Sequence, residues 1–302
     1  ADSISAVLEQ FYASRSLYTR MRQKSVDLRK IVSTHLERSS KKLDLQLKQL
    51  KDTEKRDKFK VYGELLNTYG YQVTEGAKSV EVPNYYTGEM LTIPLDETLS
   101  PLDNAKKYFA RYNKLKRTFE ALNTQTEETR TEIAHLQTIQ AALAIAESED
   151  DLAQIRDELE TYGYIRRKMN GKKKQKSKSK PFHYRSSDGF DIYVGKNNFQ
   201  NDELTFKVAN GNDWWFHAKG MPGSHVIVKT EGRELPDRTF EEAGRLAGYY
   251  SSGRDNEKIE IDYLQRKNVK KPNSAVAGYV IYYTNYSLTI HPDISGIEKI
   301  SE

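Results

Sequence analysis

The stretch PLDNAKKYFARYNKLKRTFEAL, residues 101–122, decides the fold. A proline opens it, a good first residue for a helix because the amide proton it lacks would be unpaired there anyway. Behind it Ala105, Tyr108, Tyr112, Leu115, Phe119 and Leu122 recur at alternating steps of three and four, with charged side chains filling most of the gaps. That is the seam of a helix that buries one stripe against another helix. The seam resumes at Ile133, Leu136, Ile139, Leu143 and Ala146 and runs on through Leu152, Ile155 and Leu159. A partner of similar length lies upstream. From Ile4 to about Leu66 there is no proline, and the first glycine is Gly63. Ile31, Val32 and Leu36 share one helical face there, and Leu43, Leu47 and Leu50 step by four and three. Each arm would be about 90 Å long at the helical rise per residue. Two such arms pair most simply as an antiparallel hairpin within one chain, hence a monomer; self-association of long helices is the competing arrangement.

Between the arms, residues 69–94 contain Gly70, Gly76, Pro83, Gly88 and Pro94 and short runs such as Ser79-Val80-Glu81-Val82, which read as a small β insert at the hairpin tip. The Tyr85-Tyr86 pair there is either core or contact surface, and core is the commoner fate of paired aromatics. Past the second arm the pattern changes. Short strands are expected at 190–194, 214–218, 225–229, 259–263, 279–283 and 287–290. One clear helix interrupts them, with Thr239 and Glu242 as a capping box and Phe240, Ala243, Leu246, Ala247 and Tyr250 as its buried stripe. The expected organisation is an α+β multidomain chain: residues 1–68 a first coiled-coil arm, 69–100 the β-rich tip insert, 101–168 the second arm, 169–181 a basic linker, and 182–302 a compact α+β domain.

Composition agrees. In 302 residues 37% are hydrophobic and 30% charged, and the mean hydropathy is −0.80. That is too polar for one globule of this length and suits long helices with solvated outer faces. No run of about 18 apolar residues exists, so no membrane insertion is expected. There are no cysteines, which excludes disulfides and thiolate metal sites and fits a reducing, cytoplasmic compartment. The chain opens at Ala1 and enters a helical pattern at once, which reads as an excised piece of a longer protein.

Charge is concentrated rather than spread. Between Thr161 and Ser187 there is no acidic residue, while Arg166, Arg167, Lys168, Lys172, Lys173, Lys174, Lys176, Lys178, Lys180 and Arg185 supply ten cations. Against a net charge of +5, that leaves the rest of the chain at −5. The strip lacks apolar periodicity. It is either a solvated linker or a phosphate-neutralising tract that releases counterions from RNA without reading its sequence.

Three further segments could carry chemistry. In Gly195-Lys196-Asn197-Asn198-Phe199-Gln200-Asn201-Asp202, Asn201 or Asp202 can cap a short helix over 203–209, and Lys196 beside a helix start suits an anion. The alternative is a structural turn whose asparagines satisfy backbone groups. In Asp213-Trp214-Trp215-Phe216-His217-Ala218-Lys219, strand alternation sets Trp215 and His217 on one face and Trp214 and Phe216 on the other. One face is core. The other, with Lys219 and His225 nearby, can stack a base and hold a phosphate. Third, Lys267-Asn268-Val269-Lys270-Lys271-Pro272 is a short basic patch or a solvated loop. A metal site from His217, His225 and Asp213 lacks a third ligand fixed by spacing. Ser224 beside His225 is no triad, because neighbouring strand residues point to opposite faces. His35 and His135 read as helix-surface residues. No P-loop pattern is present, so nucleotide hydrolysis is not expected, nor is a cofactor.

Taken in order, these motifs resemble the NFACT family. Gly195-Lys196-Asn197-Asn198, Asp213-x-Trp215-Phe216-His217-Ala218-Lys219, Pro222-Gly223-Ser224-His225-Val226 and Val269-Lys270-Lys271-Pro272 are similar to its NFACT-R domain. Tyr62-Gly63-Glu64-Leu65-Leu66 and Asn104-Ala105-Lys106-Lys107-Tyr108-Phe109 are similar to its coiled-coil and middle region. The resemblance implies binding to a large ribosomal subunit obstructed by a nascent chain and tRNA, and recruitment of charged tRNA to extend that chain with an alanine-type tail. It implies a coiled-coil tip that touches the stalk base. Bacterial members are also called fibronectin-binding proteins, which implies a surface adhesin as a second role. The resemblance further implies a binding factor rather than an enzyme, since peptide-bond chemistry belongs to the ribosome. It leads one to expect that the family's N-terminal domain, which carries much of the tRNA recognition, is not in this sequence. Gly220 stands where the family often has aspartate.

Overall fold

The structure is a computed structural model that describes residues 4–166 and 179–300, with side chains from Met21 onward and that of Thr19. Of the basic strip, Arg167, Lys168, Lys172, Lys173, Lys174, Lys176 and Lys178 lie outside the described residues. The chain divides into two compact units, Arg38–Glu132 and Ala1–Glu37 with Ile133–Glu302.

The expected long helices are there, each with one break. α1 spans Ile4–Asp52 and α2 Arg56–Tyr69. The turn between them carries the buried Thr53, whose hydroxyl donates to the Leu50 carbonyl at 2.5 Å. α3 spans Pro101–Ile145 and α4 Glu149–Thr161. The apolar seam runs straight through residues 146–148, but Ser148 and Asp151 form a capping box that starts a new helix. That signal overrides the seam, because it satisfies orphan amides at a helix N-terminus.

In the Arg38–Glu132 unit, α2 packs on α3. Tyr62, Leu65, Leu66 and Ala105 form a core with Val82 and Ile93 of a two-stranded antiparallel hairpin, β1 (Ser79–Pro83) and β2 (Met90–Pro94). Gly63 sets the helix spacing: a Cβ there would lie 2.8 Å from the Phe109 ring. Tyr85 and Tyr86 are not core but 51% and 58% exposed at the β1–β2 turn, beside the equally exposed Met90.

In the other unit Leu28 and Val32 of α1 pack with Leu136, Ile139 and Leu143 of α3 and with Leu152, Ile155 and Leu159 of α4. The compact domain follows, a seven-stranded antiparallel sheet in the order β8-β7-β5-β6-β4-β3-β9. The strands are β3 (Phe182–Arg185), β4 (Asp191–Val194), β5 (Trp214–Ala218), β6 (Val226–Val228), β7 (Ile259–Gln265), β8 (Tyr286–Ile290) and β9 (Glu298–Lys299). The strand expected over 279–283 is instead irregular chain with a single bridge, Lys270 to Ile281.

One face of the sheet is covered by α6 (Asp237–Tyr249), whose Ala243, Leu246 and Ala247 join Ile192, Val194, Phe216, Val226 and Ile261. The Thr239–Glu242 box is not formed, because α6 begins three residues earlier, with Pro236 instead of Thr239 in the cap position. Both side chains tie the helix to the β3–β4 turn instead. Thr239 donates to Asp188 at 2.8 Å, and Glu242 accepts from the Ser187 amide at 2.9 Å and from its hydroxyl. The other face is covered by α5 (Asn198–Glu203), a π-helical turn over Leu204–Val208 and the segment 269–282.

Candidate nucleic-acid interface

The Gly195-Lys196-Asn197-Asn198 segment folds inward as a joint. Gly195 is required because a Cβ would meet the Asn201 side-chain oxygen at 2.1 Å. That oxygen accepts from the His225 amide, and Asn197, rather than Asn201 or Asp202, caps α5 by accepting from the Gln200 amide. The remaining polar groups run into α3 and α4. Asn197 donates to Gln154 at 2.6 Å, and Asn198 donates to Thr138 and to Glu158, each at 2.7 Å. Lys196 lies 3.3 Å from Asp151 and over the Phe182 ring, nearly buried. Burial alone would raise the Asp151 carboxyl, but hydrogen bonds from Ser179 and the Glu147 amide, with Lys196, hold it below the usual carboxylate range. Lys196, Asn197 and Asn198 thus hold the sheet domain to its helices, with their polar groups turned inward rather than free on the surface. His135 is buried too, not a surface residue, with Nε2 2.9 Å from Glu158 Oε1.

On β5 the alternation is as expected, yet both faces are covered. Trp215 is 0% exposed, packed with Leu204, Ile227, Leu264 and Val269, and its indole N–H has no protein partner. It is a core residue, not a stacking platform. His225 is likewise buried, sharing a 2.8 Å hydrogen bond with Thr205. His217 is half-buried between Trp215 and His225. Burial lowers the His217 pKa to about 4 and pushes His225 well below its usual value, so both rings are neutral at pH 7. Lys219 is exposed but 2.5 Å from Glu260. Asp213 is taken up by protein partners. Hydrogen bonds from Lys229, Thr230 and Asn210 hold its carboxyl below the usual range against the opposing effect of burial.

Available cations cluster where β5 begins and β7 ends. The Arg266 amide donates to the Asp213 carbonyl, the Lys267 amide to the Gly211 carbonyl, and the Arg266 guanidinium to the Thr205 carbonyl at 2.6 Å. These bonds stitch residues 205–213 to 266 and 267 at one rim of the sheet, on segments that carry Lys207, Arg266 and Lys267, with Lys270 four residues past Arg266. Lys207, Lys267 and Lys270 are exposed, and no acidic partner is within ion-pair distance among the described residues. Lys271 is held by Asp202. Arg166 and Lys180 are exposed at the two ends of the strip. Of the expected contact residues, then, Lys270 sits on an open cationic surface. Lys207 went unnoticed because a lone lysine between apolar neighbours carries no pattern.

Two sequence comparisons bear on this rim. Residues 1–178 match the NFACT N-terminal and middle domains, and residues 180–282 match the NFACT protein RNA binding domain. The chain belongs to the NFACT family. It is 38% identical over 300 residues to the Rqc2 homolog RqcH of Streptococcus suis, covering 99% of this chain and 54% of that protein. To the protein of the same name in Bacillus subtilis it is 35% identical over 305 residues, covering 100% and 53%. The chain thus spans about half the length of the curated relatives it matches. Its structure is also similar to the C-terminal of the fibronectin/fibrinogen-binding protein from S. suis, with a TM-score of 0.73 and 33% identity over 93% of this chain and 100% of that one. In this NFACT chain the part matched to the RNA binding domain holds β3 to β7, α6 and the whole cationic rim. Among the described residues no helix is long and apolar enough to cross a membrane.

Proposed function

We propose that this chain is the ribosome-engaging half of a cytoplasmic quality-control factor. It binds RNA through the sheet domain on a large ribosomal subunit obstructed by a nascent chain and tRNA, and supports C-terminal alanine tailing of that chain. The observation that carries this reading is the rim of Lys207, Arg266, Lys267 and Lys270 in the part of the chain that matches the family's RNA binding domain. Cations without acidic partners neutralise phosphates at little cost, since no ion pair must first be broken. The lysine-rich strip beginning at Arg166 adds sequence-independent affinity of the same kind. The exposed Tyr85, Tyr86 and Met90 at the β1–β2 turn are a contact surface suited to the stalk base. The chain contributes binding rather than catalysis, because peptide-bond chemistry belongs to the ribosome, and it needs no cofactor.

Fibronectin binding is the second reading, favoured by the name of the structurally similar S. suis protein. Both readings are tested by incubating the purified chain with large subunits and with immobilised fibronectin. Cosedimentation with subunits that weakens when the lysines of the strip become glutamine supports the first. Retention on fibronectin alone would replace it with the second.

A further inference from the structure

The α6 face of the sheet is sealed at its centre and over Leu288–Ile290 of β8, and open at the corner where β8 begins. There a chain of aromatic rings climbs from core to solvent. Phe216 is fully buried and stacks on Tyr263 at 5.5 Å. Trp214 and Tyr263 are half-buried, 5.8 Å apart, and both contact Phe240 of α6. Tyr286, the first residue of edge strand β8, stacks on Tyr263 at 5.5 Å and is 62% exposed. A large exposed aromatic is an unusual choice for an edge strand, which proteins ordinarily blunt with lysine or proline.

The segment that presents Tyr286 is fixed in place. Buried Asp262 accepts from Tyr282 at 2.8 Å, from Asn285 at 2.8 Å and from Ser287 at 2.7 Å, pinning the chain on both sides of the ring. Trp214 also adjoins the cationic rim directly. Its register partner is Gln265, and the next residue, Arg266, donates its amide to Asp213. Asp237 lies close to Tyr263. A carboxylate there repels phosphate from the rings themselves but tolerates a neutral base.

Resting on the RNA reading above, we propose that Trp214, Tyr263 and Tyr286 form a stacking stair for unpaired bases of single-stranded RNA, whose phosphates lie on the adjoining rim of Lys207, Lys267 and Lys270. Every base has a π-face, so a stair of this kind is tolerant of sequence. Nucleobases rather than an apolar peptide are the fitting occupant, because only RNA complements both the rings and the unpaired cations beside them. Tyr286 lies outside the segment matched to the RNA binding domain.

The test is filter binding of the full chain to oligouridylate and to an abasic ribose-phosphate oligomer of equal length and charge. Tyr286→Ala is expected to weaken oligouridylate binding about five-fold, the low end for loss of one stacked base, and to leave abasic binding unchanged. Trp214→Leu, checked by thermal melting, should behave alike. Lys207→Gln with Lys267→Gln should weaken both oligomers. Undiminished oligouridylate binding in folded Tyr286→Ala and Trp214→Leu overturns the stair, while weaker binding of both oligomers by the lysine variant still supports the RNA reading. Equal loss on both oligomers also overturns it, since stacking needs a base. If the parent chain binds neither oligomer, the RNA reading itself fails and the stair with it.

Discussion

Trp214 and Trp215 are neighbours on one strand, yet they sit in different worlds. Trp215 faces the side of the sheet covered by α5, the π-helical turn and residues 269–282, and is entirely enclosed. Trp214 faces α6, which packs through Gly244 and Gly248 on Leu288 and Ile290 of β8 but leaves the start of that strand open, so the indole is half-buried among other rings. The two faces hold similar chemistry, aromatic rings with a cation at hand. What separates them is covering chain from elsewhere in the sequence. Function on such a sheet follows from where the cover ends.

The comparison breaks first at Trp215. Trp215→Ala should cost about 3–5 kcal/mol of stability, the usual penalty for emptying a large aromatic site. A urea melt reads it directly, and a loss under 1 kcal/mol would mean that this face is not the sealed one. The joint that holds α5 in place comes next. His135→Ala removes one of the two side chains hydrogen-bonded to the buried Glu158, leaving Asn198, and should cost about 2–3 kcal/mol, in the range for a lost partner of a buried polar group. A near-neutral melt would show that the cover does not depend on that contact.

Acid probes the same face from within. The pKa of both histidines is lower in the folded chain than in the unfolded chain, so unfolding takes up protons below the ordinary histidine value of about 6.5. The stability they allow is complete above that pH and is lost as pH falls from there toward about 4, where folded His217 titrates. At pH 5 the His217 contribution alone should amount to about 2 kcal/mol of destabilisation, with His225 adding in the same direction. His217→Gln should flatten the dependence of melting temperature on pH across that window, and an unchanged slope would refute it. The smallest effect on stability belongs to the open rim. Lys207→Gln, Lys267→Gln and Lys270→Gln together should shift the melt by less than about 0.5 kcal/mol, as surface changes do. They should reduce the log–log salt slope of RNA binding by about 2, at roughly 0.7 per lost contact.

The sequence makes the alternation of β5 plain, and the helical seams of α1 and α3 plainer still, because both are periodic. It does not reveal which sheet face is closed. Leu204, Val269 and Tyr282, which close it over Trp215, come from short segments whose local pattern, a helix over 203–209 and a strand over 279–283, says nothing of which sheet face they cover. Asn197 and Asn198 misled for a related reason. A polar run after a glycine looks like a ligand loop, and only the arrival of Gln154, Glu158 and Thr138 from distant helices turns it into a joint. The break before α4 was legible in Ser148 and Asp151, a short-range signal masked by a longer apolar repeat. β9 is two residues long and exists only as a partner for β3.

Trp214 and Trp215 are also the chain's two tryptophans, and the unit Arg38–Glu132 has none. Intrinsic indole emission therefore reports on a single strand of the sheet domain, whereas far-ultraviolet dichroism is dominated by the long helices. Heating one sample and recording both signals would show whether the two units melt as one cooperative block or in separate steps.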